Sequence, residues 1–420
     1  MRLVLERTKP LGAEPVGTAD ALGRVLAEDL VAAGDVPPFA NSAMDGFAVR
    51  SEDTRGATDG SPVELTVAGE SRAGAPARRG PGPGEAIRIS TGAVLPDGAD
   101  AVVRVEDTAE RDGRVEVRVE ADPGKEIRHA GEDIRTGDHV LARGRRLGPA
   151  ELGVAASVGA SELSCARQAR VAVLGTGDEL VGPGEALGPG QIRNTNGYAV
   201  PAQVVEAGAL PVRVETVPDD YEETVRAIGA ALEADVLVVT GGMSVGPHDH
   251  AKRAFAELGV EEVFWGVALR PGKPTWFGTK NKKTGISLAG NSGSSEGATT
   301  GNSGSFDSTA TLVFGLPGNP VSAMVTFHLF VRPALAALAG AAAEPRRTTA
   351  LLDEDYPKHP GRMHVVRCRL EQHDDGWHVR PTKAQGSHVL TSMLDAEALA
   401  YLEVDRGDVR AGERVEIEIL

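Results

Sequence analysis

The chain has 420 residues, room for about two to four domains at roughly 100–200 residues each. Its 44 Lys and Arg against 60 Asp and Glu give a formal charge of −16, which excludes a general nucleic-acid binder, because a phosphate backbone requires a basic footprint. Aromatics at 4% are too sparse for base-stacking platforms, and 41% hydrophobic residues exclude wholesale disorder.

The opening residues, Met1 to Arg7, lack an apolar run of the length a secretory signal needs, so a soluble, cytoplasmic protein is expected. Residues 14–33 read as a helix with Thr18 as its cap and Ala21, Leu22, Val25, Leu26 and Leu30 on one stripe. Pro37-Pro38 then enforces an extended chain. From 47 to 145 short alternating runs, such as Val63 to Val67 and Arg114 to Glu120, are separated by Gly/Pro punctuation and predict a small β domain. Residues 149–159 return to a helix, with Pro149 in its first turn.

Between 170 and 340 strand and helix patterns alternate. Strands are predicted at 171–174, 210–217, 236–240, 263–269, 275–277 and 312–314, and helices at 196–207, 219–233, 249–258 and 319–338. That alternation implies a mostly parallel sheet covered on both faces. Gly, Ser, Thr and Asn dominate 281–310, which reads as a flexible loop inserted between two strands. Residues 346–420 are again β-like. The apolar segment 325–343 carries His328, Arg332 and Pro333 and does not read as a membrane span. Cys165 and Cys368 lie far apart in sequence and fit two small buried hydrophobes.

Three loops have a composition suited to anions. Gly241-Gly242-Met243-Ser244-Val245-Gly246 joins a buried strand to a helix, so its N–H groups and the helix N-terminus can face an anion; a tight connection without ligand has the same pattern. Arg270-Pro271-Gly272-Lys273-Pro274 sets two cations about a rigid turn, which also describes a solvated turn. In Pro317-Gly318-Asn319-Pro320, Asn319 suits a helix cap and Pro320 the first helical position. Among the carboxylates, Asp219 with Glu222 reads as a capping box, Asp249 as a cap, and Asp178-Glu179 follows a strand end, where α/β sheets bind ligands. Asp45 and Asp133 sit in small-residue turns. Several such carboxylates beside an anion cradle would form a divalent-cation site. No HExxH or GxSxG pattern occurs.

Seven stretches together resemble the molybdopterin molybdenumtransferase family, the MoeA type, whose eukaryotic counterpart is the E domain of gephyrin. They are residues 37–49, 90–100, 130–134, 175–180 (Gly-Thr-Gly-Asp-Glu-Leu), 240–246, 271–274 and 316–322, in family order over nearly the whole chain. The resemblance implies an α/β multidomain fold with four parts. Residues 1–46 plus 146–168 form a discontinuous helical domain, and 47–145 an inserted β domain. Residues 169–345 form the molybdopterin-binding α/β domain, and 346–420 a C-terminal β-barrel-like domain.

The resemblance also implies a homodimer whose cleft is composite, so that Asp45 and Thr91 face the α/β domain of the other subunit. The implied reaction takes adenylylated molybdopterin and molybdate to molybdenum cofactor and AMP with Mg2+. Asp45, Thr91, Asp133, Glu179, Asp219 and Asp249 are the expected catalytic residues, with Glu179 and Asp249 as magnesium or water ligands. Gly241, Gly242, Ser244, Gly246, Arg270, Lys273, Pro317, Gly318, Asn319 and Pro320 are expected to bind the anionic substrates. Gly266 and Arg270 stand where bacterial relatives often carry lysine, and the insertion at 281–310 is expected near the cleft. The other function open to this family is a dimeric, gephyrin-like scaffold for a partner-protein peptide, linked in some bacteria to cell division.

Overall fold

The computed structural model describes residues 1–243, 250–282, 310–345 and 347–420. They divide into two compact units, one of residues 15–22 and 28–163, the other of residues 1–14, 23–27 and 164–420.

The first unit is built on a six-stranded mixed sheet in the spatial order Ala101–Arg104, Gly46–Val49, Glu85–Ile89, Val63–Ser71, Arg114–Val117 and Thr108–Arg111. Alternation along these strands sends Phe47, Val49, Val103, Val115 and Val117 to one core and Ala48, Ile87, Ile89 and Val102 to the other face. The unit also holds the predicted helix, Pro149–Ser157, with Pro149 in its first turn and the Glu151 carboxylate accepting from the Gly148 N–H at 3.0 Å.

The predicted helix over 14–33 does not form. A strand Ala13–Gly17, a single 3-10 turn Thr18–Asp20 and the short strand Leu30–Val31 take its place. Gly23 sits at φ +76°, a left-handed conformation that ends any regular helix there. The burial of Ala21, Val25 and Leu26 follows the stripe that suggested a helix, whereas Leu22 is exposed.

In the larger unit the chain runs β1 (Arg170–Thr176), α1 (Asn196–Glu206), β2 (Leu210–Val217), α2 (Tyr221–Ala231), β3 (Val236–Thr240), α3 (His250–Glu257), β4 (Glu261–Trp265), β5 (Leu269–Arg270), β6 (Trp276–Lys280), β7 (Thr311–Leu316) and α4 (Pro320–Leu338). The central sheet has the order β2-β1-β3-β7-β6-β4; β2, β1, β3 and β7 are parallel and β6 and β4 form an antiparallel edge. Successive residues of each central strand feed opposite cores. Val171, Val173, Val236, Val238, Leu312 and Phe314 pack with α1 and α4. Ala172, Leu174, Leu237, Val239 and Val313 pack with α2 and α3. Burial on both faces explains why these strands read as unbroken apolar runs.

By length and composition α4 is apolar enough to cross a membrane, but most of it is buried in the core of this unit. It contains one π turn, Phe327–Val331, ahead of Pro333. Beyond it, β8 (Arg347–Leu352), β9 (Met363–His373), β10 (Gly376–Pro381), β11 (Ala398–Leu402) and β12 (Arg414–Ile419) close on themselves, because β9 pairs with both β10 and β11. Short β5 adds to β9 in parallel. Cys165 and Cys368 are both buried free thiols, and burial pushes Cys368 up to about 12.

Candidate functional site

The parallel strands end level with one another. Gly175 lies opposite Thr240, and Thr240 opposite Leu316. From β1 the chain crosses to β2 on one side and then to β3 on the other, so the order reverses between β1 and β3. The loops leaving those strands diverge there, and open α/β sheets hold ligands at that point. A cleft of about 780 Å³ opens over it.

Its floor is backbone. Gly241 (φ +87°) and Gly242 (φ +63°) turn sharply after β3. A Cβ at Gly241 would lie 2.9 Å from the Thr176 carbonyl oxygen, and one at Gly318 would lie 3.6 Å from the Gly241 Cα. Side chains at these positions would fill the floor. The Gly241 N–H donates to the Leu316 carbonyl at 3.2 Å, so Gly241 serves close approach and not anion donation. Pro317, Gly318, Asn319 and Pro320 all line the cleft. Pro320 begins α4 as expected, but Asn319 makes no side-chain cap; its Nδ2 donates to Ser387 Oγ at 3.1 Å.

Two of the expected carboxylates, Glu179 and Asp219, line this cleft. The helix cap is one residue later than predicted. Asp220 Oδ1 accepts from the Glu223 N–H at 2.9 Å, so Asp219 is not the cap and its carboxylate is left to the cleft. The Asp219 N–H donates to Asp178 Oδ1 at 3.0 Å, fixing the approach of that loop. Ser244, Gly246 and Asp249 lie outside the described residues.

The segment Asn194-Thr195-Asn196, on the opposite wall, was not singled out from sequence, where it reads as a helix start. Asn196 is 8% exposed and donates through Nδ2 to the Gly318 carbonyl at 2.7 Å, yet its Oδ1 is buried without a partner. A buried carbonyl oxygen left unpaired beside a cleft is an acceptor waiting for a donor.

The two predicted cations are exposed, and only Pro274 of their loop lines the cleft. Arg270 instead sits opposite His364 in the β5–β9 pairing. Two buried basic residues of β9, His364 and Arg367, lie three positions apart and therefore on opposite faces of the strand. Arg367 is 1% exposed; it donates to Ser392 Oγ at 3.3 Å and to the Ala384 and Gly386 carbonyls at 3.2 and 3.4 Å. No carboxylate pairs with it among the described residues. His364 is also buried and its Nδ1 has no partner. Burial, followed by the charges of Arg270, Lys358, Arg362 and His359, lowers the His364 pKa to about 4. A buried guanidinium without an acid is costly unless an anion joins it. The 384–388 loop connects the two regions: Gly386 accepts from Arg367, Ser387 from Asn319, and His388 lines the cleft.

In the other unit, Asp45 Oδ1 accepts from the Thr91 N–H at 2.7 Å and from its hydroxyl at 3.1 Å, so these two predicted residues meet. Asp133 lies on a separate turn, its N–H bound to the Val36 carbonyl at 3.0 Å. It makes no hydrogen bond to Asp45 or Thr91 among the described residues.

Comparison with known proteins covers most of the chain. Residues 1–159 match the MoeA N-terminal region (domain I and II), 172–337 the probable molybdopterin binding domain, and 349–420 the MoeA C-terminal region (domain IV). A molybdopterin molybdenumtransferase of Haemophilus influenzae is 35% identical over 414 residues, 97% of this chain and 94% of that protein. The molybdopterin molybdenumtransferase 2 of Mycobacterium tuberculosis is 36% identical over 99% of this chain and 97% of its own length. The crystal structure of a molybdopterin biosynthesis moeA protein from Pyrococcus horikoshii OT3 superposes with a TM-score of 0.80 at 30% identity, covering 100% of this chain and 98% of that one.

Proposed function

The chain belongs to the molybdopterin molybdenumtransferase (MoeA) family, an enzyme family of molybdenum cofactor biosynthesis, and from that premise we propose that it converts adenylylated molybdopterin and molybdate into molybdenum cofactor and AMP. One observation carries the reading: a cleft with a glycine floor and two carboxylates, joined by a single loop to a buried arginine, Arg367, that pairs with no acid among the described residues. A cleft whose floor is bare backbone admits a bulky pterin phosphate closely. Buried Arg367, with the charge of Arg270 near it, suits a small tetrahedral dianion. Asn196 Oδ1 is an acceptor suited to the amino or N–H edge of a pterin.

Glu179, Asp219 and the Thr176 and Thr240 hydroxyls are all hard oxygen donors on one cleft, the set a magnesium ion takes. We assign Glu179 and Asp219, with Asp249, to holding it. When bound it would neutralise phosphate charge and polarise the anhydride. Glu179 and Asp219 would also orient water toward the adenylyl phosphorus, and Gly242 with Ser244 and Gly246 would bind phosphate oxygens.

We further propose a homodimer. Edge strand β2 exposes Leu210, Val212 and Val214 at 44%, 42% and 50%, and α1 exposes Tyr198 and Val205 at 60% and 59%. An unpaired edge and an apolar patch of this kind call for a covering surface. Asp45, Thr91 and Asp133 are assigned to a composite cleft in that dimer, with the Asp45–Thr91 pair as an acid/base or orienting group. The division into domains 1–46 with 146–168, 47–145, 169–345 and 346–420 belongs to the same proposal, as does a cytoplasmic setting.

The test follows AMP and active cofactor together from purified protein given adenylylated molybdopterin, magnesium and molybdate. Asp219→Asn and Glu179→Gln are each expected to lower turnover at least a hundredfold with the fold intact. A folded dimer without turnover would shift the reading to a gephyrin-like scaffold.

A further inference from the structure

We propose that the β9–β10 hairpin carries a site for a divalent late transition metal of the zinc class, held by His373, Asp375 and His378. None of these residues lines the cleft, and the site is independent of the transferase reading. The hairpin register sets Glu371 opposite His378 and His373 opposite Gly376, so the ligands converge across the turn. One ligand atom from each of His373, Asp375 and His378 lies within 4.8 Å of the other two. His378 Nε2 and Asp375 Oδ1 are already 2.9 Å apart. That separation matches two ligands sharing a metal at about 2.0–2.2 Å from each.

The support behind the first ligand is what distinguishes this cluster from chance surface histidines. His378 Nδ1 lies 2.7 Å from Asp353 Oδ1, and both side chains are about 85% buried. With Nδ1 held by that carboxylate, a metal that displaced the Nε2 proton from its hydrogen bond to Asp375 would meet the Nε2 lone pair beside Asp375 Oδ1. Metal-bound histidines characteristically have such a carboxylate behind them, fixing tautomer and ring orientation. His373 stacks on His378 with ring centroids 4.2 Å apart and planes 14° from parallel. It is half exposed, so its ring is free to turn out of the stack and aim its own lone pair at the same point. Two imidazoles and one carboxylate are the donor set of zinc and its neighbours; magnesium and calcium prefer oxygen alone. Glu371, 3.4 Å from His373 Nε2, or a water would complete four-coordination.

The test titrates metal-free, full-length protein with Zn2+ against a chromophoric chelator, and repeats the titration with Co2+ to read its visible spectrum. One equivalent is expected to bind with a tetrahedral cobalt spectrum and to raise the thermal midpoint. His373→Ala, at an exposed turn position, should remove that equivalent and the thermal shift while leaving the midpoint of the metal-free protein unchanged. Asp353→Asn should weaken binding about tenfold to a hundredfold. An equivalent that binds unchanged in His373→Ala and His378→Ala, or an absence of stoichiometric binding in the wild type, would overturn the proposal.

Discussion

Gly241 holds the cleft floor through two independent constraints. Its φ of +87° is left-handed, which costs a residue with a Cβ about 1–2 kcal/mol. The Cβ itself would sit 2.9 Å from the Thr176 carbonyl, closer than such contacts occur, so the β1 loop would have to move. Gly241→Ala should therefore lower the thermal midpoint by several degrees and abolish AMP release. Gly184→Ala, with open space around it, should do neither. The same reasoning accounts for Gly266, which sits at φ +78° and donates to the Thr275 carbonyl at 2.9 Å. A lysine there would be strained in this backbone. At this scale the glycine loops were legible because their spacing is itself the signal. The position of the cap was not. Asp219 with Glu222 and Asp220 with Glu223 satisfy the same pattern, and only the folded helix decides which aspartate is left for the cleft.

Elements were read well wherever one pattern ran without interruption. Leu210–Val217 and Val236–Thr240 fall where the strands were predicted, and α1 and α2 fall within a few residues of their expected ends. The failure at 14–33 came from reading an apolar stripe as periodic while discounting Gly17, Gly23 and Pro15 within it. Burial was right and backbone wrong, since an extended chain can bury the same side chains. The basic residues were hidden for another reason: Arg270 on β5 and His364 and Arg367 on β9 are far apart in sequence, and only the β5–β9 pairing sets the two strands side by side.

One buried acid adds to the apolar contact between the barrel and α4. Glu418, 2% exposed, lies 2.9 Å from His328 Nε2 and 3.1 Å from Arg332 Nη1, and accepts from the Tyr401 hydroxyl at 2.7 Å. Burial alone would raise its pKa. The His328 hydrogen bond and charge, with Tyr401 and Arg332, carry it below the usual carboxylate value. A depressed folded pKa gives stability that is present above the unfolded value of about 4.3 and lost as pH falls through the folded one. Glu418→Gln should cost about 1–2 kcal/mol at pH 7 in denaturant melts, because it weakens the buried hydrogen bonds to His328 and Tyr401 and leaves half-exposed Arg332 facing a neutral group. The gap between variant and wild type should narrow below about pH 4, as the wild-type carboxylate takes up its proton.

For the whole molecule, the order of motifs along the chain already pointed to the multidomain α/β architecture, but the described ends of the insertion do not lie beside the cleft where it was expected. The described ends of that segment lie at the opposite end of the strands from the cleft. Lys280 pairs with Thr311, at the start of β7, whereas the cleft opens beyond Leu316 at its end. Lys280 is tied to the Leu258 carbonyl at 2.6 Å, and Lys282 lies 3.6 Å from Asp235, whose carboxylate is held by Arg167 at 2.9 and 3.0 Å. These anchors belong to the end of the sheet where β3 begins, opposite the substrate side. Because Lys280 and Thr311 are direct antiparallel partners, a four-residue turn suffices to join β6 to β7. Replacing 281–310 by such a turn should leave the rate of AMP release within about twofold. Shortening the loop also removes closure entropy, by (3/2)RT ln of the length ratio, so the denaturant midpoint should stay or rise by the equivalent of at most about 2 kcal/mol. A large loss of turnover with the midpoint unchanged would instead tie the insertion to the reaction from the opposite end of the sheet. That outcome would require the segment to reach a cleft its anchors face away from.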